Sequence, residues 1–269
     1  MLSKLNNSIE LARQIRIVSV TNSHRASVAH LGSALSSSDI LAVVHSNFLS
    51  FDEKGVESGN NVFVLSKGHA AIALYAALHS LGIITDYDLS SFATHGSVFE
   101  EHPNHKIPTV PFPTGSLGHG LSLSAGMALG KKLSRQSGRV FVLLSDGECN
   151  EGTVWESVQF ILSKGIKNIT LFVDHNKLQA TGSTQETLGS ISLSSTFKAF
   201  GWDAFDIDGH SHQELMDSIR RSQLSDSPTA LICHTIKGKG ISFMENDNNW
   251  HYKSPNDSEY SIAMRELQA

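Results

Sequence analysis

The sequence predicts an α/β fold in which a mostly parallel sheet carries helices on both faces. Three observations point there. Val140-Phe-Val-Leu-Leu144 and Ile169-Thr-Leu-Phe-Val173 are unbroken apolar runs, the pattern of parallel strands buried on both faces. Between them, Thr153 to Ser163 places Val154, Val158 and Ile161 on one side of a helix. Elsewhere, short strand candidates alternate with helical segments along the whole chain, as in sheets built from βαβ units. A single domain spanning 1–269 follows, and its length of 269 residues is enough for a sizeable core.

The elements follow in order. Ser8 to Val20 reads as a helix, with Ile9, Ala12 and Ile15 at helical spacing. Ser38-Asp39 reads as the N-cap of a buried helix beginning at Ile40. Val62–Leu65 is a strand candidate, followed by Ser66-Lys-Gly-His69 and the alanine-rich helix Ala70–Leu78. His102 to Gly115 holds four prolines and is a loop; Ser122–Leu133 is a helix. After the βαβ unit, strands are expected at Trp202–Asp208 and Ala230–Thr235, with a helix at Gln213–Arg221 between them.

Composition removes several classes of function. Hydrophobic residues make up 40% and charged residues 17%, which is not a disordered chain. No apolar run approaches the roughly 18 residues of a membrane span, and the N-terminus lacks a signal-peptide core. Two cysteines form no disulfide framework, so a cytoplasmic location is expected. A net charge of −5 gives no general attraction to nucleic acid or to an anionic membrane. The 14 histidines stand out, because imidazole titrates near neutrality and ligates metals.

Ligands of such sheets sit at the carboxyl ends of the strands, where Asp146, Asp174 and Asn176 fall. Asp146 closes one strand and Asn176 the next. In a parallel sheet their side chains can converge, and a carboxylate, an amide oxygen and a backbone carbonyl make a hard-oxygen set for Mg²⁺ or Ca²⁺. One negative charge leaves such an ion with excess positive charge, which a diphosphate could neutralise. Gly147 admits that phosphate to the backbone, ahead of a helix N-terminus. Gly115-Ser-Leu-Gly118-His-Gly120 does not have the spacing of a dinucleotide fingerprint, which argues against a nicotinamide oxidoreductase; by itself it favours an ordinary loop-to-helix turn. His30, His69, His102 and His251 lie in Gly/Pro-rich loops without zinc spacing and suggest a polar cleft for phosphates, hydroxyls and proton transfer. Lys237-Gly-Lys-Gly240 reads either as a phosphate contact or as a solvated turn, and Asp208-Gly-His210 as a structural turn. Cys149 lacks the partners of a nucleophile.

Seven stretches occur in the order seen in transketolases. They are Ala29-His-Leu-Gly-Ser-Ala-Leu-Ser-Ser-Ser-Asp-Ile-Leu41, Leu65-Ser-Lys-Gly-His-Ala70, His102-Pro103, Thr114-Gly-Ser-Leu-Gly-His-Gly120, Ser145-Asp-Gly-Glu-Cys-Asn-Glu-Gly152, Val173-Asp-His-Asn-Lys-Leu178, and Gly238-Lys-Gly-Ile-Ser-Phe-Met244 with Trp250-His251. The chain resembles the stand-alone N-terminal subunit of split bacterial transketolases from about residue 10 to about residue 255. That resemblance implies the diphosphate domain of the thiamine diphosphate-binding fold. It also implies thiamine diphosphate held through Mg²⁺, with Ca²⁺ or Mn²⁺ as substitutes. Asp146, Asn176 and the Leu178 carbonyl match the metal ligands. His69, Gly147, Asn176 and His251 match diphosphate contacts, with Glu148 beside them. Gly115, Ser116 and Leu117 match the stretch beside the aminopyrimidine. Glu151 matches a glutamate in the carboxylate network of the dimer interface, and His30, His69, His102 and His251 match the histidines around the thiazolium and the ketose hydroxyls.

Ser145 stands where the family has a glycine, and Leu31 where proline or isoleucine is common. His24-Arg25 matches a subgroup of split enzymes. The pyrimidine-binding domain is missing from the resemblance, so it is expected on a separate chain. The resemblance then implies an α₂β₂ assembly that transfers a two-carbon unit between ketose and aldose phosphates, with this chain inactive alone. Runner-up readings are a 1-deoxyxylulose-5-phosphate synthase-like or 2-oxo-acid dehydrogenase-like chain, and a non-catalytic cofactor-binding subunit.

Overall fold

The computed structural model describes residues 2–52, 60–189 and 191–269. The strands are β1 (Val62–Leu65), β2 (Val140–Ser145), β3 (Ile169–His175), β4 (Asp203–Asp208) and β5 (Thr229–His234). They form one sheet in the order β1-β2-β3-β5-β4, and every neighbouring pair is parallel. Side-chain alternation along each strand sends Phe63, Leu65, Phe141, Leu143, Phe172, Leu231 and Cys233 to one face. On that face pack helices α1 (Leu2–Ala26), α2 (Leu31–Asn47), α3 (Ala71–Ser80) and α9 (His212–Leu224). Val64, Val140, Val142, Leu144, Leu171, Val173 and Ile232 face the other way, against α5 (His119–Leu133), α6 (Gly152–Ser163) and α8 (Leu193–Ala199). Helices thus cover both faces. A third, smaller core joins α10 (Asp257–Gln268) to Val20, Leu31, Leu35 and Trp250.

All five strand candidates are strands, within a residue or two of the expected bounds. Val154, Val158 and Ile161 are fully buried on α6. Helix α1 runs six residues past the expected Ser8–Val20 at each end, and the next helix starts elsewhere than expected. The helix expected to start at Ile40 runs from Leu31, and Ser38 and Asp39 lie in its interior. His30 provides the start, as an N-cap residue in the left-handed region at φ 69°. Asp39 tolerates the interior because its carboxylate is satisfied from elsewhere in the chain. It receives Arg16 through both guanidinium branches, His210 Nδ1 at 2.6 Å and His212 Nε2 at 3.0 Å. Local pattern favoured an Asx cap; tertiary ion pairing decided otherwise.

The family departures sit without strain. Ser145 does not have a positive φ, and its Oγ accepts the Glu148 N–H at 3.2 Å. Leu31 is wholly buried in the third core. His24 stacks on Tyr260 with centroids 4.4 Å apart and bonds Asp257, while Arg25 ties α1 to the Leu89 carbonyl. The structure has no helix long and apolar enough to cross a membrane among the described residues.

Candidate active-site cleft

The carboxyl ends of β1, β2, β3 and β5 open into a cleft of about 360 Å³. Each strand delivers a polar residue at the point where its apolar run stops. Asp146 follows β2 and Asn176 follows β3; Lys67 follows β1 and Lys237 follows β5. Asp146, Gly147, Asn176 and Leu178 all line the cleft, so the two strand-end residues do converge. Asp146 Oδ2 accepts the Lys177 N–H at 2.7 Å, and Asn176 Oδ1 accepts the Leu178 N–H at 3.1 Å. These bonds fix the turn after β3 around the Asp146 carboxylate.

The electrostatics fit a cation at that point. Asp146 is 5% exposed, and burial together with the Asp174 carboxylate pushes its pKa up to about 7. The Lys67 charge nearby offsets this only in part, so the carboxylate is under-compensated. Among the described residues no three His, Cys, Asp or Glu side chains cluster as metal ligands. The residues that would hold a cation offer instead one carboxylate, one amide oxygen and the Leu178 carbonyl, which also accepts from Lys237 Nζ at 3.4 Å; such hard oxygens suit Mg²⁺ with water or phosphate oxygens completing the shell. Beside it, Gln179 lines the cleft with its Nε2 buried and without a partner among the described residues. Gly147 allows that approach, since a Cβ there would stand 3.0 Å from Gln179 Cγ. A diphosphate beside a divalent ion would find donors in these groups.

Below the cleft floor lies a fully buried ion pair, Lys67 with Asp174. Asp174 also accepts from Ser36 Oγ at 2.6 Å, from Thr235 Oγ1, and from Asn176 Nδ2 at 3.3 Å. Lys67 also donates to the Ser33 carbonyl at 3.2 Å. The pair therefore locks Asn176 to the start of α2. Lys237, 1% exposed, donates from Nζ to Asn248 Oδ1 at 2.8 Å and to His251 Nδ1 at 2.9 Å. Of the two sequence readings of that lysine, the solvated turn is excluded.

Three of the four singled-out histidines come together. Ring centroids of His30 and His69 are 5.4 Å apart, of His30 and His251 5.2 Å, and of His69 and His251 5.8 Å. The His30 N–H donates to the His251 carbonyl at 3.0 Å, and His69 Nε2 bonds Ser33 Oγ at 2.9 Å. Burial is the main cause that holds all three rings below the ordinary imidazole range, with nearby Lys67 and Lys237 adding to it; His251 is lowered to about 3. The ammonium of Lys237 can only donate, so His251 accepts at Nδ1 and carries its proton on Nε2. His102 stands at the rim and is exposed. Its ring closes over Gly115, where a Cβ would stand 2.5 Å from His102 Cδ2, and its carbonyl takes the Tyr75 hydroxyl at 3.0 Å.

Gly115, Leu117 and Glu151 line the cleft, but Ser116 and Glu148 do not. Ser116 is exposed outside it. Glu148 is fully buried, and its carboxylate accepts from Ser66 Oγ, from the Gly118 N–H at 2.9 Å and from the Ser145 N–H at 3.3 Å. Its carboxylate is committed to the two loops it ties together, which corrects the expectation of a cofactor contact. The glycines of the 115–120 stretch serve the chain's own packing: a Cβ at Gly118 would strike Thr153 Oγ1 at 2.2 Å, and one at Gly120 would strike Ser66 Oγ at 2.2 Å. Cys149 is buried, with its thiol pushed well up by desolvation, and is no nucleophile. Lys67, Ser33 and Gln179 join the site from outside the residues that sequence patterns single out, whereas Lys237 is set apart by the sequence as a phosphate contact or a solvated turn. For the two lysines a signal existed, a cation within three residues of a strand's carboxyl end; for Ser33 and Gln179 the sequence carries none.

Known proteins share this arrangement of chain and fold. Residues 7–267 match the family described as transketolase, thiamine diphosphate binding domain. One subunit of the apulose-4-phosphate transketolase of Phocaeicola vulgatus is 32% identical over 246 residues, covering 91% of this chain and 88% of the relative. Human transketolase-like protein 2 is 35% identical over 247 residues, covering 91% of this chain. The match spans only 40% of that longer relative. In fold, the chain superposes on transketolase from Campylobacter jejuni with a TM-score of 0.88 at 22% identity, over 99% of this chain and 43% of that one.

Proposed function

This chain belongs to the transketolase family, as a thiamine diphosphate-binding domain, and from that premise we propose that it is the diphosphate-binding subunit of a two-chain transketolase. The match to nearly all of the Phocaeicola vulgatus chain, against two-fifths of the longer human relative, supports the two-chain reading. The convergence of Asp146, Asn176 and the Leu178 carbonyl under a three-histidine cluster is the observation that carries it.

Asp146, Asn176 and Leu178 would hold Mg²⁺, and Gly147, Gln179, His69, His251 and Lys237 would contact the diphosphate. When bound, thiamine diphosphate supplies a carbanion for addition to a ketose carbonyl and a sink for the electrons of the broken C–C bond. The chain's own part is to bind, orient and move protons. His30 and His69, kept neutral by burial, take protons from sugar hydroxyls and return them. His251, held with its proton on Nε2 by Lys237, donates a hydrogen bond to a substrate oxygen. His102 orders the Gly115–Leu117 stretch on which the cofactor's other ring would rest. Glu151, at the cleft edge and before α6, would join the carboxylate network of a dimer interface. The substrates are ketose and aldose phosphates, and a pyrimidine-binding chain completes an α₂β₂ enzyme located in the cytoplasm, without nucleic acid or membrane as partners.

Two measurements test this. Thiamine diphosphate binding by calorimetry is expected to require Mg²⁺ and to tighten when the partner chain is added. Ketol transfer is expected from the mixture and absent from this chain alone; full activity from this chain by itself refutes the two-chain reading.

A further inference from the structure

A second cavity of about 650 Å³ opens beside the cleft, under α7 (Thr184–Leu188). Its floor is the end of the sheet, where parallel register sets His175 of β3 directly opposite His234 of β5. Register partners in a parallel sheet project to the same face. The two rings lie with centroids 5.0 Å apart at an interplanar angle of 48°. His234 bonds Asp206 Oδ1 of β4 through Nε2 at 2.9 Å, which leaves its Nδ1 without a bond among the described residues. Neither ring nitrogen of His175 has a hydrogen-bond partner among the described residues, and its Nδ1 is buried. Two imidazoles that each carry an uncommitted nitrogen thus lie side by side, and a carboxylate orients one of them.

We propose that His175 and His234 form a binding site for a divalent transition-metal cation of the Zn²⁺ type, with Asp206 as the positioning residue. Two imidazoles sharing a tetrahedral cation, at Zn–N distances of about 2.0–2.1 Å, carry their ring centroids roughly 5 Å apart. The observed spacing matches that value. The carboxylate on His234 Nε2 fixes the tautomer that presents Nδ1 as a donor, the outer-shell arrangement found behind most histidine ligands. Since no third protein ligand converges there among the described residues, water completes the coordination. Nitrogen donors set this site apart from the hard oxygens of Asp146, Asn176 and Leu178, which line the same cavity. Ligand softness therefore sorts the cations: imidazole favours Zn²⁺, Ni²⁺ or Cu²⁺, and the oxygen set favours Mg²⁺. The proposal does not depend on the ketol-transfer reading.

The test titrates ZnCl₂ into the chelator-stripped chain in excess Mg²⁺, followed by calorimetry. One Zn²⁺ per chain is expected with a dissociation constant of about 1–10 μM, and about tenfold or greater weakening in His175→Ala and in His234→Ala. Asp206→Asn is expected to weaken binding about tenfold while leaving Mg²⁺ binding unchanged. His234→Gln serves if the alanine variant fails to fold, and Co²⁺ loaded on the wild-type chain is expected to give the intense visible bands of a tetrahedral nitrogen site. No saturable Zn²⁺ site below about 100 μM overturns the proposal. So does a site that survives both histidine substitutions, including one lost in His69→Ala, which would place the ion in the three-histidine cleft.

Discussion

Replacing Lys67 by methionine isolates the buried ion pair beneath the cleft. Both side chains are 0% exposed, so neither charge can recover its hydration in the fold. Methionine fills much the same volume, and the perturbation is therefore electrostatic. Asp174 would keep Ser36, Thr235 and Asn176 as donors but lose its only cation within bonding distance among the described residues. Breaking a buried pair in this way costs about 3–5 kcal/mol. The sign of the pH dependence follows. In the wild type, Lys67 and the hydroxyl donors outweigh burial and lower the Asp174 pKa. Its stabilising contribution is thus present above the ordinary carboxylate range and lost as pH falls through the lowered value. Without Lys67, burial dominates and the pKa of Asp174 rises. The deficit of the variant should then shrink as pH is lowered toward 4 and grow toward 8. Urea unfolding followed by far-UV circular dichroism, at several pH values, measures it. The double variant Lys67→Met/Asp174→Leu should recover most of the loss, because it leaves no unpaired charge. A loss under about 1 kcal/mol in the single variant, or no recovery in the double, refutes the reasoning.

Other outcomes are expected from the same structure. Asp146, with its pKa pushed up to about 7, would have to lose a proton to act as the proposed Mg²⁺ ligand. Calorimetric Mg²⁺ affinity should accordingly fall about tenfold per pH unit below 7, and Mg²⁺ should raise the Tm more at pH 8 than at pH 6. Gly120→Ala forces a Cβ to 2.7 Å from Ser66 Cα and should cost about 1–3 kcal/mol of unfolding free energy in urea. Asp39→Ala separates two readings of one residue. As a helix cap it would cost about 1 kcal/mol, but as the hub for Arg16, His210 and His212 it should cost about 3–5 kcal/mol in the same assay.

Strands β1, β2, β3 and β5 were legible because each carries a run of apolar residues with a polar end, and β4 because apolar and acidic residues alternate along it; both patterns are local. For the same reason Asp146 and Asn176 could be paired before any coordinates: two consecutive parallel strands end side by side. The error at Asp39 has the opposite origin. Ser38-Asp39 before an apolar run has the local chemistry of a cap, and its partners His210 and His212 lie about 170 positions away. Glu148 misled in a related way, because adjacency to Gly147 along the chain says nothing about which side of the turn a carboxylate faces.

The surplus of histidines shows where sequence stops. Four could be set apart because they sit in glycine- and proline-rich loops, and three of these meet in the cleft. Several of the others hold the fold: His45 bonds the Leu41 carbonyl within α2, His210 and His212 share Asp39, and His24 and His79 bond Asp257 and Asp86. Nothing in the neighbouring residues distinguishes these from one another. By itself the sequence determined the sheet, the order of the motifs, the family and the two oxygen-bearing residues at the strand ends, because periodicity and turn chemistry act over a few residues. Only the tertiary structure decided that Lys67 neutralises Asp174, that Lys237 fixes the tautomer of His251, and that His175 lies beside His234. Those pairings depend on sheet order and register, which bring together residues that no local pattern relates.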